Sequence, residues 1–584
     1  MCGIAGIIGD FTGHQLDDML ASQHHRGPDA TGKYKDDNYA ALGHNRLAII
    51  DLSTKANQPF IDNSSRYVIV FNGEIYNYIE IKKELQNQYA FKTESDTEVL
   101  LAAYIIYGKS CLEKLNGMFS FAIWDNQSKK LFAARDRFGV KPFYYSIKDQ
   151  TFYFSSEIKA LHAAGIPKIP SEKVWASYFA YGSYGMPNET FWKGISQLPG
   201  GHFLEYESHN LILKKWYIFE DEVAKQPKNL TYSQAKKKYV ALLKDSIQLR
   251  FRADVPVGFN ISGGLDSSVL LALVNDYKCH SEPIENLPFT IHHSPFTLNA
   301  YTFYTNNSDY DELPWVEKMI AKTHNPLIKV LLQADAVPDF ARKMAFQQDE
   351  PYGGIPTLAY AKIFEQARKD KVLVLLDGQG MDEQWAGYDY YTQENDATIQ
   401  GVEESPYKTN LLSESFLAKA EKPIYPKLFE DEVLNKQYRD LFYTKIPRAL
   451  RFNDRISMLY STELREPFLD YRLVELAFSL PLAFKIKKGV TKYMLREIAS
   501  EYLADDLVFA PKRALQTPQR EWLAEDLKGW VHQCFRAIEK TDFSNWFNKE
   551  EFQKELQLYF EGNSQSSFHI WQCISWWEIF KIRS

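Results

Sequence analysis

The residues best suited to handling a nucleotide lie in two glycine-rich loops. The first, Ser262-Gly263-Gly264-Leu265-Asp266-Ser267-Ser268, stands between an apolar run from Val255 to Ile261 and a helical stretch from Ser267 to Asn275. Glycines let the backbone approach a ligand closely, and the free N–H groups of a helix start face an anion. Ser262, Ser267 and Ser268 add hydroxyl donors. Asp266 puts a carboxylate beside the phosphates, which makes sense when a cation such as Mg²⁺ is shared there. The loop lacks the lysine of the GxxxxGK(S/T) pattern, so it is not a kinase-type or GTPase-type phosphate loop. The second loop, Asp377-Gly378-Gln379-Gly380-Met381-Asp382-Glu383, follows the apolar run Val372 to Leu376. Ligands of parallel sheets bind at the carboxyl ends of the strands, so both loops belong at one rim, and Asp382 faces Asp266 across Mg²⁺.

The elements that must position these loops alternate. After Thr231-Tyr232-Ser233 a helix runs to about Arg250, then come the strand Val255 to Ile261 and the helix with Val269, Leu270, Leu273 and Val274 on its apolar face. Further strand candidates are Phe289 to His292, Leu327 to Leu332 and Val372 to Leu376. This rhythm predicts a parallel sheet with helices on both faces. From about residue 400 the pattern is mostly helical.

The first two hundred residues read differently. Short apolar or alternating runs recur at Gly3 to Ile8, Arg46 to Ile50, Tyr67 to Phe71, Phe119 to Trp124, Leu131 to Arg135 and Thr151 to Ser155, with turn residues between them. Ser95 to Tyr107 has helical character, with Ser95 or Asp96 as N-cap. Strands with inserted helices predict an α+β sandwich. The segment from Glu205 to Tyr232 turns polar and reads as the connection, beginning near Trp216. The domains are therefore 1–216 and 217–584.

Composition closes off other classes. The formal net charge of −7 offers nothing to nucleic acid or an anionic membrane. Five cysteines without a CxxC suggest neither a zinc site nor a disulfide framework, and reduced thiols fit a cytoplasmic setting. The N-terminus has no basic region, and no run of about 20 apolar residues predicts a membrane helix. The aromatic C-terminus, with Trp571, Trp576, Trp577 and Phe580, reads as a core-facing helix. His24 and His25 read as structural, because no third ligand lies at metal spacing.

Ordered motifs run through the whole chain: Met1-Cys2-Gly3-Ile4, His25-Arg26-Gly27-Pro28-Asp29, Arg46-Leu47-Ala48-Ile49-Ile50-Asp51, Phe71-Asn72-Gly73-Glu74-Ile75-Tyr76-Asn77, Ser95-Asp96-Thr97-Glu98 and Arg135-Asp136-Arg137-Phe138-Gly139. Phe452-Asn453-Asp454-Arg455, Pro467-Phe468-Leu469-Asp470 and Thr491-Lys492-Tyr493-Met494-Leu495-Arg496 follow. In this order they resemble the glutamine-dependent asparagine synthetases, and the Ser262 loop resembles the pyrophosphate loop of ATP-pyrophosphatases. The resemblance implies an N-terminal-nucleophile (Ntn) hydrolase αββα glutaminase sandwich, followed by an ATP-pyrophosphatase domain with a parallel sheet. It also implies an internal ammonia tunnel, and family members are often homodimers.

The resemblance assigns roles. Cys2, first in the chain once Met1 is removed, is the nucleophile. A free α-amino group, with a pKa of about 7.7–8.0, serves beside it as base. The Asn72 side chain and Gly73 N–H hold the tetrahedral oxyanion. Arg46 clamps the glutamine α-carboxylate, Glu74 and Asp96 receive its α-ammonium, and backbone near Ile49 and Ile50 lines the pocket. For ATP, the Ser262–Ser268 loop holds pyrophosphate, Asp266 and Asp382 hold Mg²⁺, and Lys492 sits near the phosphates. Asn260, Ile261, Ile291, Asp377 and Gly378 contact the nucleoside. The implied reaction turns glutamine, aspartate and ATP into asparagine, glutamate, AMP and pyrophosphate.

Two departures stand out. Gln379 replaces the glutamate common in the family, and an amide cannot accept a proton as a carboxylate can. Asp349 to Thr357 lacks the arginine that some bacterial members carry. An alternative is the same chemistry on another carboxylate, such as a sugar uronic acid. A non-catalytic scaffold and a free-standing glutaminase are further alternatives.

Overall fold

The computed structural model describes residues 1–36, 39–280, 298–393, 405–510, 516–562 and 567–581. In the N-terminal half the strands are β1 (Gly3–Ile8), β2 (Ala30–Asp36), β3 (Ala40–Arg46), β4 (Phe60–Ile61), β5 (Tyr67–Ile75), β6 (Gly117–Asp125), β7 (Lys130–Arg135), β8 (Tyr144–Lys148), β9 (Thr151–Ser155), β10 (Ser196–Gln197), β11 (His202–Glu207) and β12 (Asn210–Lys215). They form two antiparallel sheets, ordered β10-β8-β9-β1-β3-β2 and β12-β11-β7-β6-β5-β4.

Successive strand residues point to opposite faces, so each sheet feeds two cores. Ile4, Leu42, Phe154, Val70, Trp124 and Leu204 meet between the sheets. On the outer face of the first sheet, Ala5 and Ile7 share a core with Leu16 and Leu20 of the helix Gln15–Ser22 and Ile158 of the helix Ile158–Ala163. On the outer face of the second, Phe71 and Phe121 share one with Val99 and Leu100 of the helix Asp96–Tyr107. The Ser95 side chain caps that helix by accepting from Thr97 N–H. This is the αββα sandwich that the resemblance implied.

The C-terminal half holds a five-stranded parallel sheet, β13 (Val257–Asn260), β14 (Ala300–Tyr304), β15 (Leu327–Leu331), β16 (Val374–Leu376) and β17 (Glu463–Arg465), ordered β15-β14-β13-β16-β17. The chain builds outward from β13 to β15, then returns to β16 on the other side. The switch in direction therefore lies between β13 and β16, where an open parallel sheet binds its ligand. Phe259 pairs with Leu376, so the loops after these strands emerge side by side. This matches the architecture of an ATP-pyrophosphatase domain.

Several expectations change at the level of elements. The run from Arg46 to Ile50 is not a strand: β3 ends at Arg46, and Leu47, Ile49 and Ile50 are buried in irregular backbone. The edge hairpin β11–β12 runs into the polar stretch from Glu205, and because β12 is largely exposed no buried face imposes an alternating pattern on it. Within the tract after it, Phe219 is buried among Tyr438, Phe442 and Phe478. β14 and the three-residue β17 were not anticipated. The strand candidate Phe289 to His292 lies outside the described residues. The C-terminal helix Phe568–Lys581 is core, with Trp576 fully buried. Among the described residues, no helix is long and apolar enough to cross a membrane.

Candidate functional site

Cys2 precedes β1 and is buried, with its thiol 3.9 Å from the Leu47 carbonyl oxygen. Its backbone N–H donates to Asn72 Oδ1 at 3.0 Å. That bond fixes the Asn72 amide, whose Nδ2 is then buried without a partner. A buried unpaired donor is costly, and beside a thiol it suits an oxyanion. The next residue, Gly73, has no room for a side chain: a Cβ would stand 2.1 Å from the Met118 carbonyl oxygen. Burial pushes the Cys2 thiol up, against the pull of the N-terminal ammonium and Arg46.

Arg46 at the end of β3 is held by carbonyls rather than carboxylates. It donates to Ser53 O at 2.7 Å, Asn57 Oδ1 at 2.8 Å, Ile50 O at 3.3 Å and Asp51 O. Its charge is thus left for a ligand carboxylate. Ile49 O accepts from Asp254 N–H at 2.8 Å, which ties this pocket wall to the second domain.

A cluster of carboxylates closes the pocket. Glu74 on β5, Asp96 at the start of its helix and Glu463 on β17 are all buried. Glu463 accepts from the Met1 ammonium at 3.0 Å and from Arg465 Nε at 2.5 Å. Arg465 also lies 3.8 Å from Glu74. The cations hold Glu463 down at about 2 despite burial. Burial, with Glu463 nearby, pushes Glu74 well above the usual carboxylate range and Asp96 up to about 6. Glu74 Oε2 has no hydrogen-bond partner. The Met1 ammonium is one of the cations that balance this cluster.

The second site is a cavity of about 300 Å³ at the carboxyl ends of β13 and β16. Asn260, Ile261, Ser262, Gly263, Gly264, Asp266, Ser267, Asp377, Gly378, Gln379, Asp382 and Lys492 all line it. Ser268 lies on the same turn and is buried. Ile291 lies outside the described residues. The two loops touch: a Cβ on Gly378 would stand 3.0 Å from Ser267 N. The Ser267 hydroxyl donates to Ser262 O at 2.8 Å and accepts from Ser262 N–H at 3.2 Å, which holds the turn.

At its centre Lys492 Nζ donates to both oxygens of Asp266 at 2.7 Å and lies 2.7 Å from Asp382 Oδ1. Burial lowers the ammonium's pKa, but the two carboxylates outweigh it and raise it. The ammonium marks a place where two hard oxygen donors converge on one cation, the donor chemistry that suits Mg²⁺. Glu312 and Trp315 wall the phosphate turn, with Glu312 Oε2 3.3 Å from Gly263 N. A larger cavity of about 980 Å³, bordered by Tyr184, Arg448 and Tyr425, lies apart from these loops.

Three participants were not anticipated. Tyr360 accepts from Asn260 Nδ2 at 2.6 Å and donates to Asp377 Oδ2 at 2.8 Å, joining the two strand ends. The Asn260 Oδ1 beside it is buried and unpartnered. Tyr360 lies on the helix Ile355–Lys369, remote from either loop in sequence. Gly387 passes under the cation: a Cβ there would stand 1.9 Å from Asp382 Oδ1 and 2.4 Å from Lys492 Cε. Arg496, one turn beyond Lys492, also lines the cavity, and its place in Thr491–Arg496 was a usable signal.

Two family models match successive parts of the chain. The family model described as a glutamine amidotransferase domain matches residues 1–217, and the asparagine synthase model matches residues 238–580. Asparagine synthetase (glutamine-hydrolyzing) 3 of Bacillus subtilis (strain 168) is 28% identical over 100% of this chain and 99% of its own length. Asparagine synthetase (glutamine-hydrolyzing) 1 of the same organism is 27% identical, over 98% and 95%. Among solved structures, glutamine phosphoribosylpyrophosphate amidotransferase of B. subtilis matches at 19% identity over 44% of this chain and 60% of its own, with a TM-score of 0.29.

Proposed function

This chain belongs to the asparagine synthase family, and from that premise we propose that it is a glutamine-hydrolysing asparagine synthetase. It takes ammonia from glutamine, activates aspartate with ATP, and forms asparagine, glutamate, AMP and pyrophosphate. The observation that carries this reading is that one chain matches both family models, with Cys2 in the first and the Ser262–Ser268 loop in the second.

In the first half, the Cys2 thiol gives its proton to the free α-amine and adds to the glutamine amide carbon. Asn72 Nδ2 and Gly73 N–H take the developing oxyanion, a contribution worth roughly 10²–10³ in rate for one donor. Arg46 holds the α-carboxylate, while Glu74 and Asp96 hold the α-ammonium. Collapse releases ammonia and leaves a thioester, which water hydrolyses to glutamate. The unpartnered Asn72 Nδ2 and Glu74 Oε2 support these roles.

In the second half, the aspartate side-chain carboxylate attacks the α-phosphorus of ATP. Backbone and hydroxyl donors of the Ser262–Ser268 loop hold the departing pyrophosphate, with Lys492 beside it. Asp266 and Asp382 would hold Mg²⁺, which neutralises phosphate charge when bound. Asn260, Ile261, Asp377 and Gly378 border the nucleoside. Ammonia then attacks the acyl-adenylate and AMP leaves. Gln379 lines the cavity as a hydrogen-bonding group that orients this second step without accepting its proton. Both relatives carry the name asparagine synthetase, which makes aspartate the acceptor of choice over a sugar acid. The reading places a homodimer in the cytoplasm, and light scattering tests the dimer.

The deciding experiment is pyrophosphate release by the purified protein with Mg-ATP and glutamine, with and without aspartate. Aspartate-dependent release with asparagine and AMP as products supports the reading. Glutamine hydrolysis without aspartate dependence overturns it in favour of another acceptor.

A further inference from the structure

The nucleophile's backbone is gripped from the other domain. Arg26 Nε donates to the Cys2 carbonyl at 3.0 Å. The same guanidinium makes a two-pronged bond to Asp454, Nη1 to Oδ2 at 2.8 Å and Nη2 to Oδ1 at 3.0 Å, and Nη1 also donates to Glu157 at 2.9 Å. Asp454 lies on the helix Lys445–Leu459 of the second domain. Its neighbour Arg455 donates to Ser156 O and pairs with Glu157, both at 3.1 Å. Ser156 Oγ in turn accepts from Ile4 N–H at 3.0 Å. Ser461, just beyond the helix, donates to His25 O at 2.7 Å. Two successive helix residues therefore reach the backbone on either side of Gly3, each through one intermediary. Asn453, the residue before Asp454, lines the nucleotide cavity.

We infer that Asp454 is a positioning residue for the glutaminase reaction, and that its helix carries the state of the nucleotide cavity to Cys2. This rests on the two-site reading proposed above and adds a specific link between the sites. Arg26, Asp454, Glu157 and Arg455 are all buried. A two-pronged guanidinium–carboxylate bond fixes direction as well as distance, and in such packing it moves as a unit with its helix. A shift of Asn453 when nucleotide binds moves Asp454, hence Arg26, hence the Cys2 carbonyl and the thiol's approach to the amide. Coupling of this kind makes glutamine hydrolysis slower when no acceptor is activated than when one is. The helix is contiguous with both sites, through Asn453 at the cavity and Asp454 at Arg26, and the test below asks whether both bias it.

The test is Asp454→Asn, which keeps size and one hydrogen bond but loses the charge-assisted pair. Three rates are measured on the full chain: glutamine hydrolysis, its change on adding Mg-ATP with aspartate, and pyrophosphate release driven by added ammonia. The expected result is a fall of about tenfold or more in glutaminase kcat, in line with a sub-ångström misplacement. The glutamine KM stays within about twofold and ammonia-driven release is unchanged. The response of glutaminase to Mg-ATP with aspartate, present in the wild type, disappears. Asp454→Glu restores part of both. A kcat within about twofold of wild type, an equal fall in ammonia-driven release, or a wild-type glutaminase that ignores nucleotide each overturns the inference. Should Asp454→Asn not fold, Ser461→Ala carries the same readouts with a smaller effect of the same sign. Glutamine hydrolysis needs no acceptor, so failure of aspartate-dependent synthesis and failure of this link are separable.

Discussion

Gly387→Ala places one methyl group at the centre of the nucleotide site. The added carbon would stand 1.9 Å from Asp382 Oδ1 and 2.4 Å from Lys492 Cε. To reach an ordinary contact of 3.4 Å, the carboxylate must retreat by about 1.5 Å and the lysine by about 1.0 Å. Gly387 is not among the residues with positive φ, so the backbone tolerates alanine and the clash alone sets the cost. Asp382 is only 20% exposed and Lys492 7%, so neither swings freely into solvent. A displacement of about 1 Å at reacting groups costs on the order of 10²-fold in rate, or about 2.7 kcal/mol of barrier. The assay is ammonia-driven pyrophosphate release with Mg-ATP and aspartate, beside glutamine hydrolysis on the same preparation. Release should fall about 100-fold while hydrolysis measured without nucleotide, which depends on Cys2, stays near wild type. Release within about threefold of wild type in a folded protein would refute the claim that Asp382 and Lys492 act from these positions.

Other tests address the first site. Cys2→Ala should abolish glutamine-driven asparagine formation and leave ammonia-driven formation intact; loss of both would contradict two separate sites. Asn72→Ala should lower glutaminase kcat by roughly 10²–10³ with little change in KM, because its free Nδ2 meets only the oxyanion. Asp96, pushed up to about 6, must be ionised to hold an ammonium, so the KM for glutamine should climb as pH falls below about 6. The sign for stability is opposite. With a folded pKa above the unfolded one, the native state binds the extra proton between those values, so Asp96 costs stability as pH rises through them. Asp96→Asn should therefore melt higher at pH 7.5 while binding glutamine poorly, and a lower melting point would contradict the burial argument. Glu74, raised well above its usual range in the empty pocket, should release a proton when glutamine binds, which calorimetry in two buffers detects.

Much of the nucleotide site was legible because its signals are local. A strand, two glycines, serines and an aspartate within a few residues state their own geometry, and the structure sets both loops on one rim. The Ser95 cap was equally local. What escaped depends on distant partners. Tyr360 reaches Asn260 across a hundred residues, and nothing around it marks it. Gly387 follows Ala386, whose φ of 52° turns the chain under Asp382, a path no composition rule encodes. β17 is three residues in a helical tract, recognisable only by its pairing with β16. Leu47, Ile49 and Ile50 read as a strand because burial, not pairing, makes them apolar.

That short β17 has a consequence for modularity. It delivers Glu463 beside Glu74 and Asp96, and Arg465 to within 3.8 Å of Glu74, so the amidotransferase half borrows a carboxylate and a guanidinium from more than two hundred residues downstream of its own last strand. Severed after residue 216, that half would expose Glu74 and Asp96 to water without the partner charges that organise them. It is therefore not a portable cassette. Grafting it onto another synthetase, or exchanging the synthetase beneath it, means carrying the Glu463–Arg465 pair along, and gene fission between the halves would have to preserve a charge contact that neither fragment holds alone.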